Sequence, residues 1–198
     1  MEGLTFVPAN EASPEDLDLI FGRRGEPGNC RCQWFKHSAA EYRAMAPETR
    51  AALLREQTDC GHPEASATTG IVAYLDGEPV GWCAVEPRTA YPRLASAKIP
   101  WAGRTEDPTD DGVWAATCFV VRSGFRRRGI GRALAQAAVH FARDRGAQAL
   151  EGYALILAPG KEAIWGELYV GSPRMFADAG FTEVSRPSSR RAVMRIDF

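Results

Sequence analysis

The chain lacks most of what marks the more specialised protein classes. No run of about 18 apolar residues occurs in its 198 residues, so no membrane-spanning helix is predicted. Its opening, Met-Glu-Gly, has no basic patch ahead of an apolar stretch, and no secretory leader is expected. An excess of charge of one sign is also missing. Twenty-four Lys and Arg stand against 25 Asp and Glu, a formal net charge of −1. No global field therefore draws the chain to nucleic acid or to an acidic membrane surface, and neither is expected as a partner. Internal repeats and low-complexity segments are absent. What remains, 45% apolar and 25% charged, is the composition of a globular protein, and one domain over residues 1–198 is expected.

Cysteines are few and odd in number, five in all. They need not form a disulfide framework and read as reduced thiols of a cytoplasmic protein. Cys83 and Cys118 lie inside apolar runs, as small core residues do. Cys30-Arg31-Cys32 with Cys60-Gly61-His62 could supply four soft ligands to zinc. Structural zinc sites, however, usually leave a wider gap between paired cysteines. No metal is expected.

Residues 1 to about 67 read as mainly helical. Ser13-Pro14-Glu15-Asp16 combines an N-cap, a first-turn proline and two acids, with Gly22 near the stop. A second helical stretch begins near Ala39 and is interrupted at Pro47, and the glycine-rich, charged stretch Arg23–Cys32 between the two reads as a loop. From Gly70 the pattern changes. Ile71–Leu75 and Val80–Val85 flank Asp76-Gly77, a hairpin signature because the glycine accepts positive φ. Glu86–Gly112 holds four prolines and shows no clear period. Connections of that length are more often functional than inert.

Val113–Val121 is a nearly continuous apolar run, as expected of a central strand buried on both faces. Over Gly129–Arg145, Ile130, Leu134, Ala137, Ala138 and Phe141 recur at helical spacing. His140 falls off that stripe and is given no role. Ala147–Leu155 reads as a strand, Pro173–Ala179 as a short helix, and Phe181–Arg186 with Ala192–Ile196 as a closing strand pair. The order predicts a mixed α/β (α+β) fold: a mostly antiparallel sheet flanked by helices, with one parallel crossover at its centre.

Between the buried strand and the amphipathic helix lies Arg126-Arg127-Arg128-Gly129-Ile130-Gly131. The first N–H groups of a helix have no intrahelical partner and sit at the positive end of its dipole. The glycines allow an anion to approach the backbone closely. Arg122, Arg126, Arg127, Arg128 and Arg132 gather cationic donors at the same turn. No Gly-Lys-Ser/Thr is present, which excludes a P-loop, and the third glycine of the dinucleotide fingerprint is absent. With no aromatics interleaved, the cluster does not read as a nucleic-acid surface.

This segment resembles the pyrophosphate loop of the GNAT acetyltransferase superfamily, Gln/Arg-x-x-Gly-x-Gly/Ala, at Arg126, Gly129 and Gly131. Cys118–Val121 is similar to the family's central strand, and Gly180-Phe181 stands where a later Gly-Phe is expected. The resemblance covers residues 70–198, which would form the acyl-CoA-binding core, with residues 1–67 contributing to the acceptor site. Gly77–Cys83, Glu86-Pro87-Arg88 and Met194–Phe198 are similar to a group of bacterial GNAT proteins that share the fold and no agreed substrate.

The resemblance implies an N-acetyltransferase that moves an acetyl group from acetyl-CoA to a primary amine, expected to be that of a small molecule. Backbone N–H groups from Arg127 through Arg132 would hold the pyrophosphate. Main-chain groups of Phe119 and Val121 would pair with the pantetheine arm like an added strand. That arm would lie where the fourth and fifth strands splay, near Val113–Val121 and Leu150–Leu155. GNAT proteins are often dimers, so a homodimer is open.

The family's usual general acid, a tyrosine four residues before the Gly-Phe, is replaced here by Phe176. Tyr153 and Tyr169 are the nearest substitutes, with Tyr153 favoured. Glu86 or Glu151 would be the base. The acceptor pocket is expected from Glu86–Gly112 with the N-terminal helices, using Tyr91, Trp101 and the carboxylates Glu106, Asp107, Asp110 and Asp111 for a cationic amine. Two other readings stand: a non-catalytic acyl-CoA-binding module, and a protein or peptide acetyltransferase.

Overall fold

The computed structural model describes residues 2–158, 160 and 165–198. The chain opens with strand β1 (Leu4–Pro8), then helices α1 (Pro14–Phe21), α2 (Gly25–Cys30), α3 (Ala39–Ala44) and α4 (Pro47–Thr58). Strands β2 (Ile71–Leu75) and β3 (Glu78–Pro87) follow, then short helices α5 (Pro92–Ser96) and α6 (Lys98–Trp101). After them come β4 (Val113–Val121), α7 (Ile130–Asp144), β5 (Ala149–Leu155), α8 (Pro173–Ala177), β6 (Thr182–Ser188) and β7 (Arg191–Asp197).

Local chemistry explains most of these boundaries. Ser13 accepts from the Asp16 N–H while Asp16 accepts from the Ser13 N–H, a complete capping box at the start of α1. Ser38 and Glu41 repeat it at α3. Pro47 stands in the first turn of α4, where its missing N–H costs nothing. Asp76 and Gly77 both have positive φ, 52° and 80°, which makes the two-residue turn joining β2 to β3.

Three expectations are corrected. The N-terminal third also supplies a strand, since β1 pairs antiparallel with β2 at the sheet edge. Within Arg23–Cys32, expected as a loop, Gly25–Cys30 forms the short helix α2, closed by the left-handed Arg31. The stretch between β3 and β4 is ordered into α5 and α6.

Among the described residues the strands form one sheet in the order β1-β2-β3-β4-β5-β7-β6, antiparallel except between β4 and β5. Helix α7 makes that parallel crossover. It buries Ile130, Leu134, Ala138 and Phe141 as its spacing predicts, together with Ala135, Val139 and Ala142; Ala137 is only half-buried and His140 is exposed. Beneath α7 lies the main core, including Ile71, Ala73, Cys83, Val85, Phe119 and Leu150. On the opposite face α1 covers Val72, Trp82, Ala84 and Val120.

One irregularity matters for the site. Ala84 pairs with Cys118 but Val85 pairs with Ala116, so Thr117 is an extra residue bulging from β4. A bulged residue leaves the ladder locally unpaired and bends its strand.

Candidate active site

Pairing between the two parallel strands ends at Ala116 and Gly152, although β4 runs on to Val121 and β5 to Leu155. Thr117–Val121 and Tyr153–Leu155 therefore have no partner across the gap, and a slot opens at the centre of the sheet. A short turn, Trp165–Val170, approaches it, and the Leu155 N–H donates to Gly171 O at 2.9 Å.

At the end of the slot the chain turns through Ser123–Phe125 into α7. Gly129 is the N-cap, left-handed at φ 81°, ψ 0°, and the Ala133 N–H is the first to reach a helical carbonyl, that of Gly129 at 3.1 Å. The N–H groups of Ile130, Gly131 and Arg132 have no acceptor within the helix. A Cβ on Gly131 would meet only Met175 Sδ at 3.7 Å, so the approach to these groups is open. Arg127 and Arg128 are exposed beside it. Arg126 Nε donates to Val121 O at 3.1 Å, which ties the loop to the strand end. Arg122 is held by Glu78 Oε1 at 2.7 Å, and Arg132 lies 3.6 Å from Asp178. The turn is a cradle for a polyanion.

On the face of the sheet opposite α7, a cavity of about 460 Å³ meets the slot at Thr117, Cys118 and Tyr153. Its walls come from α1 and α2, the Trp34–Tyr42 segment, α5 and α6, and the Tyr169 turn. Three thiols face it. Burial raises the pKa of Cys30, and a hydrogen bond that the Cys118 thiol gives to Cys32, with burial, raises that of Cys118, so both are neutral.

Under the cavity floor lies a buried ionic cluster centred on Glu151. Oε1 accepts from Arg104 Nη2 and from Arg195 Nη1 at 3.1 Å; Oε2 accepts from Tyr153 Oη at 2.8 Å and Arg104 Nη1 at 3.3 Å. Arg88, fully buried, approaches Oε2 at 3.5 Å and donates to Asp107 O at 2.5 Å. Trp101 lies between the Arg88 and Arg104 guanidinium groups, each 4.9 Å from its ring centre.

The model of the acetyltransferase (GNAT) family matches residues 32–156, more than half of the chain. The chain belongs to the GNAT acetyltransferase family. No curated protein matches it in sequence. Among solved structures it is similar to yncA from Salmonella typhimurium, solved with its cofactor acetyl-CoA, at 16% identity and a TM-score of 0.53 over 99% of this chain and 94% of that one. An N-acetyltransferase from Staphylococcus aureus Mu50 aligns at 14% identity and 0.52 over 98% of each chain. A GNAT-family protein from Desulfovibrio desulfuricans aligns at 17% and 0.52, again over 98% of each. At these identities the likeness speaks for the GNAT fold.

Within this GNAT fold the expected cofactor residues converge. Phe119 and Val121 lie on the unpaired part of β4, and Arg126, Arg127, Arg128, Gly129, Gly131 and Arg132 form the cradle at its end. The expected catalytic residues do not converge. Glu151 has both oxygens engaged by guanidinium groups and a phenol, and it does not line the cavity, so the expectation of a base there is corrected. Glu86 also lies off the cavity, ion-paired with Lys36. Tyr153 does face the cavity, but its hydroxyl hydrogen is committed to Glu151. Burial, and then the Glu151 charge, raise its pKa well above the usual value, so it is a poor acid.

Tyr169 is better placed. It is half-buried at the slot; burial raises its pKa while Arg126 draws it back. Phe176 is fully buried, its ring 5.6 Å from Phe119 and 5.0 Å from Phe181.

The residues expected to form the acceptor pocket do not line this cavity. Tyr91 is wholly buried outside the cavity, Trp101 is already taken up by two arginines, and Glu106, Asp107, Asp110 and Asp111 are exposed away from it. Glu106 pairs with Arg104 at 2.9 Å, and Asp107 accepts from Thr109. The walls come instead from Phe21, Trp34, Phe35 and Tyr42, whose only sequence signal was their aromatic clustering in the N-terminal third. Cys30 and Cys32 face the cavity; Cys32 Sγ accepts from Trp82 Nε1 at 3.2 Å. His62 pairs with Glu64 at 3.4 Å on the surface. Among the described residues no group of three or more such side chains is placed to hold a metal. Nor is any described helix long and apolar enough to cross a membrane.

Proposed function

We propose that the protein transfers an acetyl group from acetyl-CoA to the primary amine of a small molecule. The carrying observation is the continuity of the three parts: anion cradle, unpaired strand edge and cavity meet end to end. Acetyl-CoA supplies the acyl group as an activated thioester. The N–H groups of residues 127–132 receive its pyrophosphate, and the main chain of Phe119 and Val121 pairs with its arm. The backbone N–H of Thr117, left out of the ladder by the bulge, polarises the acyl carbonyl.

The acceptor enters from the cavity as a neutral amine. Its nitrogen forms a bond to the acyl carbon, the carbon–sulfur bond breaks, and the proton lost by nitrogen is balanced by one gained at sulfur. Tyr169, half-buried at the slot, donates that proton to the leaving thiolate and recovers one from the amine through solvent. Tyr153 and Glu151 hold the wall beneath it.

Thermal unfolding with and without acetyl-CoA tests the binding half. At a hundredfold excess over Kd the ligand adds about 2.7 kcal/mol, or roughly 5–10 °C for a chain of this size. The shift is expected in the parent and not in an Arg126→Ala, Gly129→Ala double variant; an unshifted parent defeats the proposal. Release of CoA thiol in the presence of an amine tests the transfer half. A second reading, a non-catalytic acyl-CoA-binding module, is favoured by Phe176 standing buried where the family's phenol is expected. Tight binding without thiol release from any amine would establish it.

A further inference from the structure

The walls of the cavity restrict what the acceptor can be. Among the described residues six aromatic side chains line it: Phe21, Trp34, Phe35, Tyr42, Tyr153 and Tyr169. Leu94, Ile99, Val120 and Val193 fill the spaces between them. Charge is sparse. Of the charged residues in the wall, Glu167 is ion-paired with Arg190 at 2.7 Å, and Arg191 carries the opposite sign beside it. Glu26 is the remaining acid among the described residues, exposed at the rim on α2. The polar atoms deeper in are thiols and hydroxyls, weak partners for an ammonium group.

A cation moved into such surroundings loses its hydration and finds little in return. A polyamine, an aminoglycoside or a zwitterionic amino acid would have to desolvate two or more charges against one rim carboxylate. An apolar body bearing one amino group loses nothing comparable and gains by covering the aromatic walls. The same surroundings favour the neutral amine, the form that attacks a thioester. That bears on the placement of Glu86 and Glu151 off the cavity: an amine already shifted toward its neutral form needs no buried carboxylate beside it.

We infer that the acceptor is a monoamine carried on an aromatic or branched aliphatic body, recognised by the Trp34–Tyr42 wall. This rests on the acyl-transfer reading above. The wall is built to last without ligand. Trp34 meets Tyr42 edge-on at 5.1 Å, the Arg93 guanidinium stacks 3.8 Å from the Trp34 ring, and Arg50 lies 4.1 Å from the Tyr42 ring while donating to Tyr42 O and Met45 O. Preformed rings of this kind lose little freedom when a ligand arrives.

The test measures binding and turnover separately on the full chain saturated with CoA or acetyl-CoA. 2-Phenylethylamine and isoamylamine are compared with spermidine, L-lysine and kanamycin, by calorimetric titration into the CoA complex and by CoA release from acetyl-CoA. The apolar monoamines are expected to bind at least about 100-fold more tightly than the multiply charged amines. Trp34→Ala and Tyr42→Ala are each expected to weaken 2-phenylethylamine about tenfold while leaving the acetyl-CoA thermal shift intact. Trp34 is 44% exposed, so its removal leaves the fold standing and the comparison readable. Spermidine, lysine or kanamycin binding as well as 2-phenylethylamine would overturn the inference. So would 2-phenylethylamine failing to bind, or binding equally to both variants. Binding as expected with no thiol release would support the inference while defeating the transfer reading.

Discussion

On the face of the sheet covered by α7, Ile130, Leu134, Ala138 and Phe141 close over Ile71, Cys83, Val85 and Leu150, while Phe176 of α8 meets the Phe119 and Phe181 rings in T-shaped pairs. On the other face the same strands carry Thr117, Cys118, Glu151 and Tyr153 beneath a cavity and three guanidinium groups. The first face is dry and continuous. The second is divided into two smaller apolar clusters, with the charged Glu151 sunk beside Ala115 and Tyr153 of one of them. Burial of apolar surface supplies stability at little structural risk, whereas a buried carboxylate among arginines returns little net energy and fixes geometry. The difference teaches that substitutions on the two faces should separate stability from acceptor handling.

The largest effect is expected on the dry face. Phe176→Ala should cost about 3–5 kcal/mol, lowering the unfolding midpoint by roughly 10 °C. Phe176→Tyr sharpens the comparison. A Cβ built on Gly152 would fall 2.2 Å from Phe176 Cζ, so the ring's far end lies close against the β5 backbone, where an added hydroxyl would crowd it. This variant should lose about 1–3 kcal/mol and gain no thiol-releasing activity. A rise in activity would mean that the ring reaches the slot, and the distinction between the faces would fail.

Next in size is the centre of the functional face. Glu151→Gln leaves Arg88, Arg104 and Arg195 facing a neutral amide, and removing one partner of a buried ionic group typically costs about 3–5 kcal/mol. If Glu151 only positions Tyr153 and the floor, the variant should melt early, and at temperatures where it is folded KM for the amine should rise more than kcat falls. A loss of kcat by several orders with an unmoved midpoint would return Glu151 to the role of base.

Gly129→Ala probes the junction that both faces share. At φ 81° an L-residue is strained by about 1–2 kcal/mol, and the added methyl group stands where the cradle must admit an anion. A modest fall in the unliganded midpoint is expected, with a larger loss of the acetyl-CoA shift. An intact shift would move the pyrophosphate elsewhere.

How far these regions were legible in the sequence depends on the range of the interactions that make them. The capping box at Ser13, the turn at Asp76-Gly77, the stripe of α7 and the cradle from Arg126 to Gly131 each arise from residues within a few positions of one another, and their patterns are visible directly. Strand β1 is not visible as a strand because its identity comes from pairing with β2 far along the chain, from Leu4 with Leu75 to Pro8 with Ile71. In sequence Glu151 looks free to act as a base because its partners Arg88, Arg104 and Arg195 lie 44 or more residues away. The acids at 106–111 looked like a pocket because they cluster in sequence, but Arg104 and Thr109 turn two of them back on their own loop. Tyr169 could be named but not preferred over Tyr153, because the preference depends on which phenol gives its hydrogen to Glu151.

The smallest expected effect tests how the wall of the functional face is fastened. Asp18 on α1 binds Arg31 Nη1 at 2.7 Å, at the end of α2, and Arg55 Nη2 at 2.5 Å, on α4. Burial alone would raise the Asp18 carboxyl, but the hydrogen bonds from the two arginines outweigh it and hold the pKa below the ordinary value. A carboxyl with a lower pKa folded than unfolded adds stability above the unfolded value, near 4. That contribution disappears as pH falls through the folded pKa. With the Asp18 side chain 41% exposed, solvent screening keeps it below about 1 kcal/mol. Asp18→Asn should therefore lower the midpoint by one or a few degrees (roughly) at pH 7, and parent and variant should converge below about pH 4. Because α1 and α2 carry Phe21 and Glu26 to the cavity, the variant should also raise KM for the amine slightly at pH 7 while leaving acetyl-CoA binding alone. A difference in midpoint that persisted unchanged into acid would show that the carboxylate charge is not what fastens these helices, and the packing of Leu17 and Phe21 on the sheet would have to account for the wall by itself.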